Sequence, residues 1–385
     1  MNFDFTEEQV MLRDSVARFI QDDYDFDTRN KVVSGDEGFS RDNWQTFAEL
    51  GWLSIPFAEE YGGFGGNVVD TMVVMEQMGR GLVAEPYVAT VLLFGGLVQE
   101  AGSEAQKSEL LPAVIGGELQ GAFAFHERAS RFEMDAIETT ATASGDGYTV
   151  SGEKTVVFNG ASADKILVSA KVDGGVSLIL VDANADGVTR TSYRMMDGSV
   201  VANISFDGAA GELVGEAGNA LAAIEQVVNN TMLAICGEAV GIMGKLNETT
   251  VEYTRTREQF GVAIASFQAL QHRMVDTFMS YEQAKSLLYR AVCSAKAGSE
   301  DAQKDLHALK VGVARYGKHV GDEAIQLHGG MGLTEELSVS HFARRLMMIN
   351  TTFGNGDYHQ QKFNAIAYGT EQAEAPAAPR AADAA

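Results

Sequence analysis

The period of the apolar residues changes twice along the chain, and this limits the folds open to it more than any other feature. At the N-terminus Thr6 with Gln9 three residues later reads as a capping box, with Phe5 able to staple onto Val10. Leu12, Val16, Phe19 and Ile20 then share one helical face. Further helix-like segments at 45–50, 71–78 and 106–114 are separated by glycine-rich loops such as YGGFGG at 61–66. From about residue 121 to 207 the texture becomes short β-branched runs, at 148–150, 165–172 and 176–181, divided by turn signals at Asp146-Gly147 and Asp173-Gly174-Gly175. Helical spacing returns near residue 219 and persists to about 366. The expected fold class is therefore α+β, with an all-α unit over 1–118, a β unit over 119–214 and a second helical unit over 215–368. The Ala/Pro/Glu-rich stretch at 369–385 is expected to be a disordered tail.

Other features narrow the function. No GxGxxG follows a strand and opens a helix, which argues against nicotinamide chemistry on a Rossmann fold. With 53 acidic against 29 basic residues the formal charge is −24, a field that repels nucleic acid and anionic lipid. An anionic ligand would need local donors such as arginines, helix N-termini or glycine-rich backbone. Cys236 and Cys293 lie in apolar helical segments without metal or disulfide spacing, and read as core thiols of a reducing cytosol. His272, His307, His319, His328, His341 and His359 form no ligand cluster in sequence, so no metal is expected. Acids near the start argue against a secretory signal, and the apolar run at 88–98 is too short for a membrane span, so a cytoplasmic protein with no membrane partner is expected.

The densest chemical signal is RTREQFGVAIASFQALQHRMVD at 255–276, which brings Arg257, Gln259, Phe260 and Gln268 close together. An arginine can hold a pyrophosphate bidentately, a phenylalanine can stack on a ring, and amides can bond ribose or base edges. The run resembles the RxxFG…Q signature of acyl-CoA dehydrogenases, where it holds the adenine half of an FAD whose flavin belongs to a neighbouring subunit. QLHGGMGL at 326–333, with Gln326, Gly329 and Gly330, is similar to the family's second dinucleotide contact, and WLSIPFAEEYGGFGG at 52–66 to its N-terminal-domain turn. The resemblance implies a four-helix bundle for the C-terminal unit, FAD as cofactor and an acyl-CoA substrate. It also implies a reaction in which the flavin takes a hydride from the β-carbon while a carboxylate removes the α-proton, with electron-transfer flavoprotein as the electron acceptor.

The departures from the family fall on the reacting side. The usual base position is Gly354, and the alternative on the first long C-terminal helix is Thr231, followed by Met232. In FAFHERAS, at 123–130, His126 and Arg128 replace the family's Thr and Pro, and in GEKTVVFN, at 152–159, Val156 and Phe158 replace the Trp and Thr that face the flavin. His126 can donate to the flavin instead, or be only a satisfied polar residue at a strand edge. Glu238 interrupts an apolar stripe formed by Leu221, Ile224, Val228, Thr231, Ile235 and Ile242, and reads either as a relocated base or as an ion pair with an arginine across a subunit interface. Asp357 and Glu127 are weaker carboxylate candidates, taken as solvated loop acids. Arg344-Arg345 reads as a CoA phosphate contact or as a partner for a helix end and a nearby acid. The elements that clasp a neighbour's FAD are kept and those that act on the chain's own flavin are altered. The pattern resembles the α2β2 acyl-CoA dehydrogenases of bacterial steroid side-chain breakdown, and points to the base-lacking chain, paired with a related subunit. A homotetramer using Glu238, a base-less monooxygenase or desulfinase, and a purely structural subunit are the alternatives.

Overall fold

Side-chain caps start most of the N-terminal helices. In the structure, a computed structural model in which residues 5–145 and 147–369 are described, Thr6 and Gln9 form the reciprocal capping box of α1 (Glu7–Asp22). Asp25 caps α2 (Phe26–Ser34), Ser40 caps α3 (Arg41–Glu49) and Asn67 caps α4 (Val68–Gly81). The apolar run that was too short for a membrane is a π-helical stretch, Tyr87–Gly95, continuing into α5 (Gly96–Ala101). Ser103 and Gln106 then open α6 (Glu104–Ile115) with a third reciprocal capping box, after those of α1 and, through Asn67 and Asp70, α4. The stretch expected to be a tail falls on 369–385, of which only Gly369 is among the described residues.

The β unit is a small barrel. Its strands are β1 (Gly121–Ala124), β2 (Thr140–Ser144), β3 (Gly147–Phe158), β4 (Lys165–Val172), β5 (Gly175–Asp182), β6 (Val188–Arg194) and β7 (Val200–Val214). The ladder β4-β5-β7-β3-β2 closes through a bridge between Thr140 and Lys171, with β1 added parallel to β4 and β6 antiparallel to β7. Period-two alternation separates two cores: Ile166, Val168, Ala170 and Val172 of β4 fill the barrel, whereas Leu167 faces the helices. Inside the barrel Lys154 is fully buried and pairs with Glu127 at 2.7 Å. Glu127 was expected to be solvated, but it is 4 % exposed and also accepts from the backbone N–H of Glu138 and Thr139. Burial raises its carboxyl, and Lys154 with the Thr139 and Glu138 donors outweighs that, leaving it below the ordinary value.

The C-terminal unit is built from α7 (Leu221–Thr256), a two-stranded hairpin β8 (Glu258–Gln259) and β9 (Val262–Ala263), α8 (Gln268–Lys296), α9 (Ala302–His328), α10 (Ser338–Thr351) and α11 (Gly356–Tyr368). Every residue of α7 from 231 to 244 is buried, so the stripe expected to carry Glu238 is instead a helix enclosed on all sides. Small residues make this possible. A Cβ on Gly241 would stand 1.9 Å from the Glu76 carbonyl oxygen, and one on Gly79 would stand 2.1 Å from that of Glu238, so α4 and α7 cross backbone to backbone. By length and composition α7 is apolar enough to cross a membrane, a point the short run at 88–98 had hidden, but 89 % of its most apolar window is buried inside the protein. Gly241→Ala should destabilise the chain by about 2 kcal/mol or more, because neither backbone can retreat from the other. Urea unfolding measures the loss, and an unchanged midpoint would show that the crossing is looser than described.

Candidate functional site

One group of predicted residues comes together at the far end of α7. The hairpin after Thr256 turns through Phe260 (φ 56°) and Gly261 (φ 79°), and α9 ends on Gly329 (φ 60°), a backbone conformation that favours glycine. Between them lies an open groove of about 520 Å³ whose lining includes Arg257, Gln259, Gln326, Gly329 and Gly330. The Arg257 guanidinium is exposed and has no ion-pair partner among the described residues, whereas Arg273 beside it is held by Glu323 at 2.5 Å. An unpaired cation, two amides and open glycine backbone suit an anionic diphosphate, so the residues present fit the dinucleotide half of FAD. Phe260 and Gln268 do not line this groove. Phe260 is 92 % exposed at the hairpin tip, edge-on to Phe267, and Gln268 opens α8. A bulky aromatic held at positive φ and left in solvent is locally unfavourable. Tyr253 stacks on His328 at 4.2 Å between centroids and both line the groove, a contact with no signal in the sequence.

A second group surrounds a cavity of about 230 Å³ between β1, β3 and the end of α10, where His126, Val156, Phe158 and Phe353 meet. Phe125 stacks on Phe353 at 5.6 Å and on Phe123 at 5.1 Å, so the walls are largely aromatic. His126 Nδ1 sits 3.0 Å from the Thr155 hydroxyl, and burial lowers the imidazole below its ordinary value, favouring the neutral ring. Val156 adopts φ 54° at a bulge in β3, which strains a β-branched residue. The cavity thus offers ring faces, methionines and, as polar groups, the His126 imidazole, Arg131, Thr351 and Thr352.

The carboxylate candidates resolve differently. Gly354 is buried at φ 118°, and a Cβ there would lie 2.5 Å from the Tyr358 ring and 2.7 Å from His359 Nε2. The turn is fixed from behind, since Lys310 Nζ donates to the carbonyls of Ile349 and Thr352 at 2.9 and 2.8 Å, and His359 Nε2 lies 3.1 Å from that of Phe353. Burial brings the Lys310 ammonium down to about 8 and the His359 imidazole to about 3, so the histidine is neutral near pH 7. Thr231 is buried with its hydroxyl donating to the Val227 carbonyl at 2.8 Å. Asp357 is exposed in the first turn of α11, where it complements the helix dipole.

Glu238 is 4 % exposed, and Arg345 clasps both of its oxygens, at 2.5 and 2.9 Å. The arginine is on α10 of the same chain, so an ion pair across a subunit interface is not needed to explain this glutamate. Arg345 also donates to Asp197 at 2.9 Å, and Arg29 of α2 donates to the Asp197 carbonyl at 3.1 Å. Burial raises the Asp197 carboxyl, and Arg345 with Ser199 outweighs it, leaving the group below its ordinary value. Neither member of the Arg344-Arg345 pair is free for a phosphate, since Arg344 is held bidentately by Glu335.

Family models for the acyl-CoA dehydrogenase N-terminal, middle and C-terminal domains match residues 6–118, 122–209 and 220–365. The chain is 28 % identical over 371 residues to a probable acyl-CoA dehydrogenase, YngJ, of Bacillus subtilis, covering 93 % of this chain and 97 % of that one. It is 27 % identical over 366 residues to the short-chain specific acyl-CoA dehydrogenase of Clostridium acetobutylicum, covering 89 % and 93 %. Among solved structures it resembles a variant of the Tcur3481-Tcur3483 steroid ACAD, with a TM-score of 0.86 and 27 % identity over 94 % of this chain and 98 % of that one.

Glu238→Gln should lower stability by about 2 to 3 kcal/mol, since it leaves a buried guanidinium with one carboxylate in place of two. Denaturant unfolding of the variant checks this. Unchanged stability together with lost turnover would instead make Glu238 a base.

Proposed function

Because the chain belongs to the acyl-CoA dehydrogenase family, we propose that it serves as the subunit without a catalytic carboxylate, completing the FAD site of a related, base-carrying chain. Its class is that of an FAD-dependent oxidoreductase, and the family acts on acyl-CoA thioesters. The observation that carries the finer reading is the turn at Gly354. No acidic side chain stands there, and Tyr358 and His359 occupy the space that one would need. At the alternative base position Thr231 is turned onto its own helix.

When bound, FAD supplies the hydride acceptor. Arg257 would hold its diphosphate, Gln259 and Gln326 would bond its polar edges, and the backbone at Gly329 and Gly330 would let the phosphates approach. The groove is open and outward-facing, which supports service to a cofactor shared with another chain. Phe158, Val156 and Phe353 would present apolar faces and His126 and Arg131 polar contacts, with no carboxylate in the lining, so this chain's part there is to exclude water and orient rather than to move a proton. The likeness to a steroid ACAD named for two products, Tcur3481 and Tcur3483, supports a two-chain enzyme, and electron-transfer flavoprotein is the proposed electron acceptor. A homotetramer using Glu238 is disfavoured because both carboxylate oxygens are committed to Arg345.

Expressed alone, the chain should carry little FAD and should not dehydrogenate straight-chain, dicarboxylic or steroid-derived acyl-CoA thioesters. Co-expression with a related, base-carrying subunit should restore both, and flavin absorbance with enoyl-product analysis reads the outcome. A yellow homo-oligomer that turns over any of these thioesters would contradict the proposal. In the assembled enzyme Arg257→Ala should weaken FAD retention by about ten- to a hundredfold, the loss of one charge-assisted bidentate contact. Unchanged FAD affinity would remove Arg257 from the site.

A further inference from the structure

Strained backbone collects around the aromatic cavity. Among the described residues seven that are not glycine have positive φ, and three of them, Arg131 (φ 48°), Val156 (φ 54°) and Phe353 (φ 58°), line this one space. Such conformations persist only where the surroundings over-determine them. Val156 is the one β-branched residue of the seven, and so the least suited to the conformation it holds.

That conformation follows from a break in the alternation of β3. Lys154 and Val157 both face the barrel interior, Lys154 on Glu127 and Val157 in the apolar core, although they are an odd number of residues apart. Across the ladder they meet Ile204 and Ala202 of β7. Thr155 and Val156 therefore stand opposite Asn203 alone, a bulge that takes both out of the regular ladder. Their N–H groups are held from two sides. The Thr155 N–H donates to the His126 carbonyl at 2.8 Å, with the Thr155 hydroxyl 3.0 Å from His126 Nδ1. The Val156 N–H donates to the Asn203 side-chain oxygen Oδ1 at 3.2 Å, and the Tyr193 hydroxyl of β6 donates to the same oxygen at 3.2 Å. Asn203 is half-buried and stands behind the cavity wall, which it reaches through Val156.

We infer that Asn203 is a positioning residue for the flavin: its hold on the Val156 N–H sets the bulge that presents Val156 and Phe158 to the ring. This rests on the reading that the aromatic cavity receives the ring of bound FAD. A bulge that served only to close the barrel would need the same hydrogen bond, but the ring would be indifferent to its loss. The two roles therefore part in the flavin spectrum and not in stability.

The test uses the co-expressed assembly loaded with FAD. Asn203→Leu keeps the bulk and removes the acceptor; it should shift the visible absorption bands of the flavin and weaken FAD retention by about three- to tenfold, the loss of one hydrogen bond. Asn203→Asp keeps an acceptor oxygen in that place and should return the wild-type spectrum. Wild-type bands and FAD affinity in Asn203→Leu would overturn the inference, as would a shift that Asn203→Asp shares in full. Should Asn203→Leu not assemble, Tyr193→Phe, which removes only the hydroxyl that steadies Asn203, should move the same bands, and an unchanged spectrum in that variant would overturn the inference. A wild-type assembly that holds no flavin would overturn the reading beneath it as well, whereas bound flavin that does not respond to Asn203→Leu overturns the inference alone.

Discussion

Arg345 sits at the centre of a charged cluster that ties the three units together. Its guanidinium meets Glu238 of α7 and Asp197 of the turn between β6 and β7, and the Asp197 carbonyl meets Arg29 of α2. Charges removed from water are tolerated only when paired and hydrogen-bonded, so the helices cannot slide past the barrel without opening this cluster. The cluster also fixes α10, and with it the turn that follows. Lys310 holds the carbonyl oxygens at the end of that helix and His359 lies against that of Phe353, which leaves Gly354 pressed against Tyr358 and His359. Gly354 is thus part of a packed, hydrogen-bonded turn and not an isolated gap.

The same arrangement divides the molecule by role. One end of the C-terminal helices carries an open groove of glycine backbone and an arginine without an ion-pair partner among the described residues, beside a hairpin tip that exposes Phe260. The interior carries two cavities with aromatic and apolar walls, each bordered by charged and polar side chains. A chain of this kind is suited to complete a cofactor site that another chain begins, with its apolar interior shaping what lies beside the flavin.

Much of this was legible in the sequence, and the failures have physical causes. The helical, β and helical order was readable because period 3.6 and period 2 are local properties, and the Thr6–Gln9 capping box because its partners are three residues apart. The groove residues Arg257 and Gln326 were readable through the resemblance of their two segments to the family's dinucleotide motifs, and the fold brings both to one groove. Phe260 and Gln268 were grouped with them on proximity alone, and the tight turn at Phe260-Gly261 sends the phenylalanine to the tip. Glu238 was read against one apolar stripe, but glycines on α4 and α7 bury the whole helix, and its arginine partner lies 107 positions away. Glu127 was misplaced for the same reason, because its partner Lys154 is an inward-facing charge on a bulged strand. An inward-phase lysine was a signal that a buried acid had to exist.

The central claim, that this chain brings no base to the shared site, is tested most directly by α-proton exchange. The co-expressed assembly, with the partner's catalytic carboxylate replaced by its amide, would be incubated with an acyl-CoA in deuterium oxide and the thioester analysed by mass spectrometry. The account predicts deuterium incorporation no faster than in buffer. Incorporation that persists above that rate, and disappears on Glu238→Gln in this chain, would contradict it.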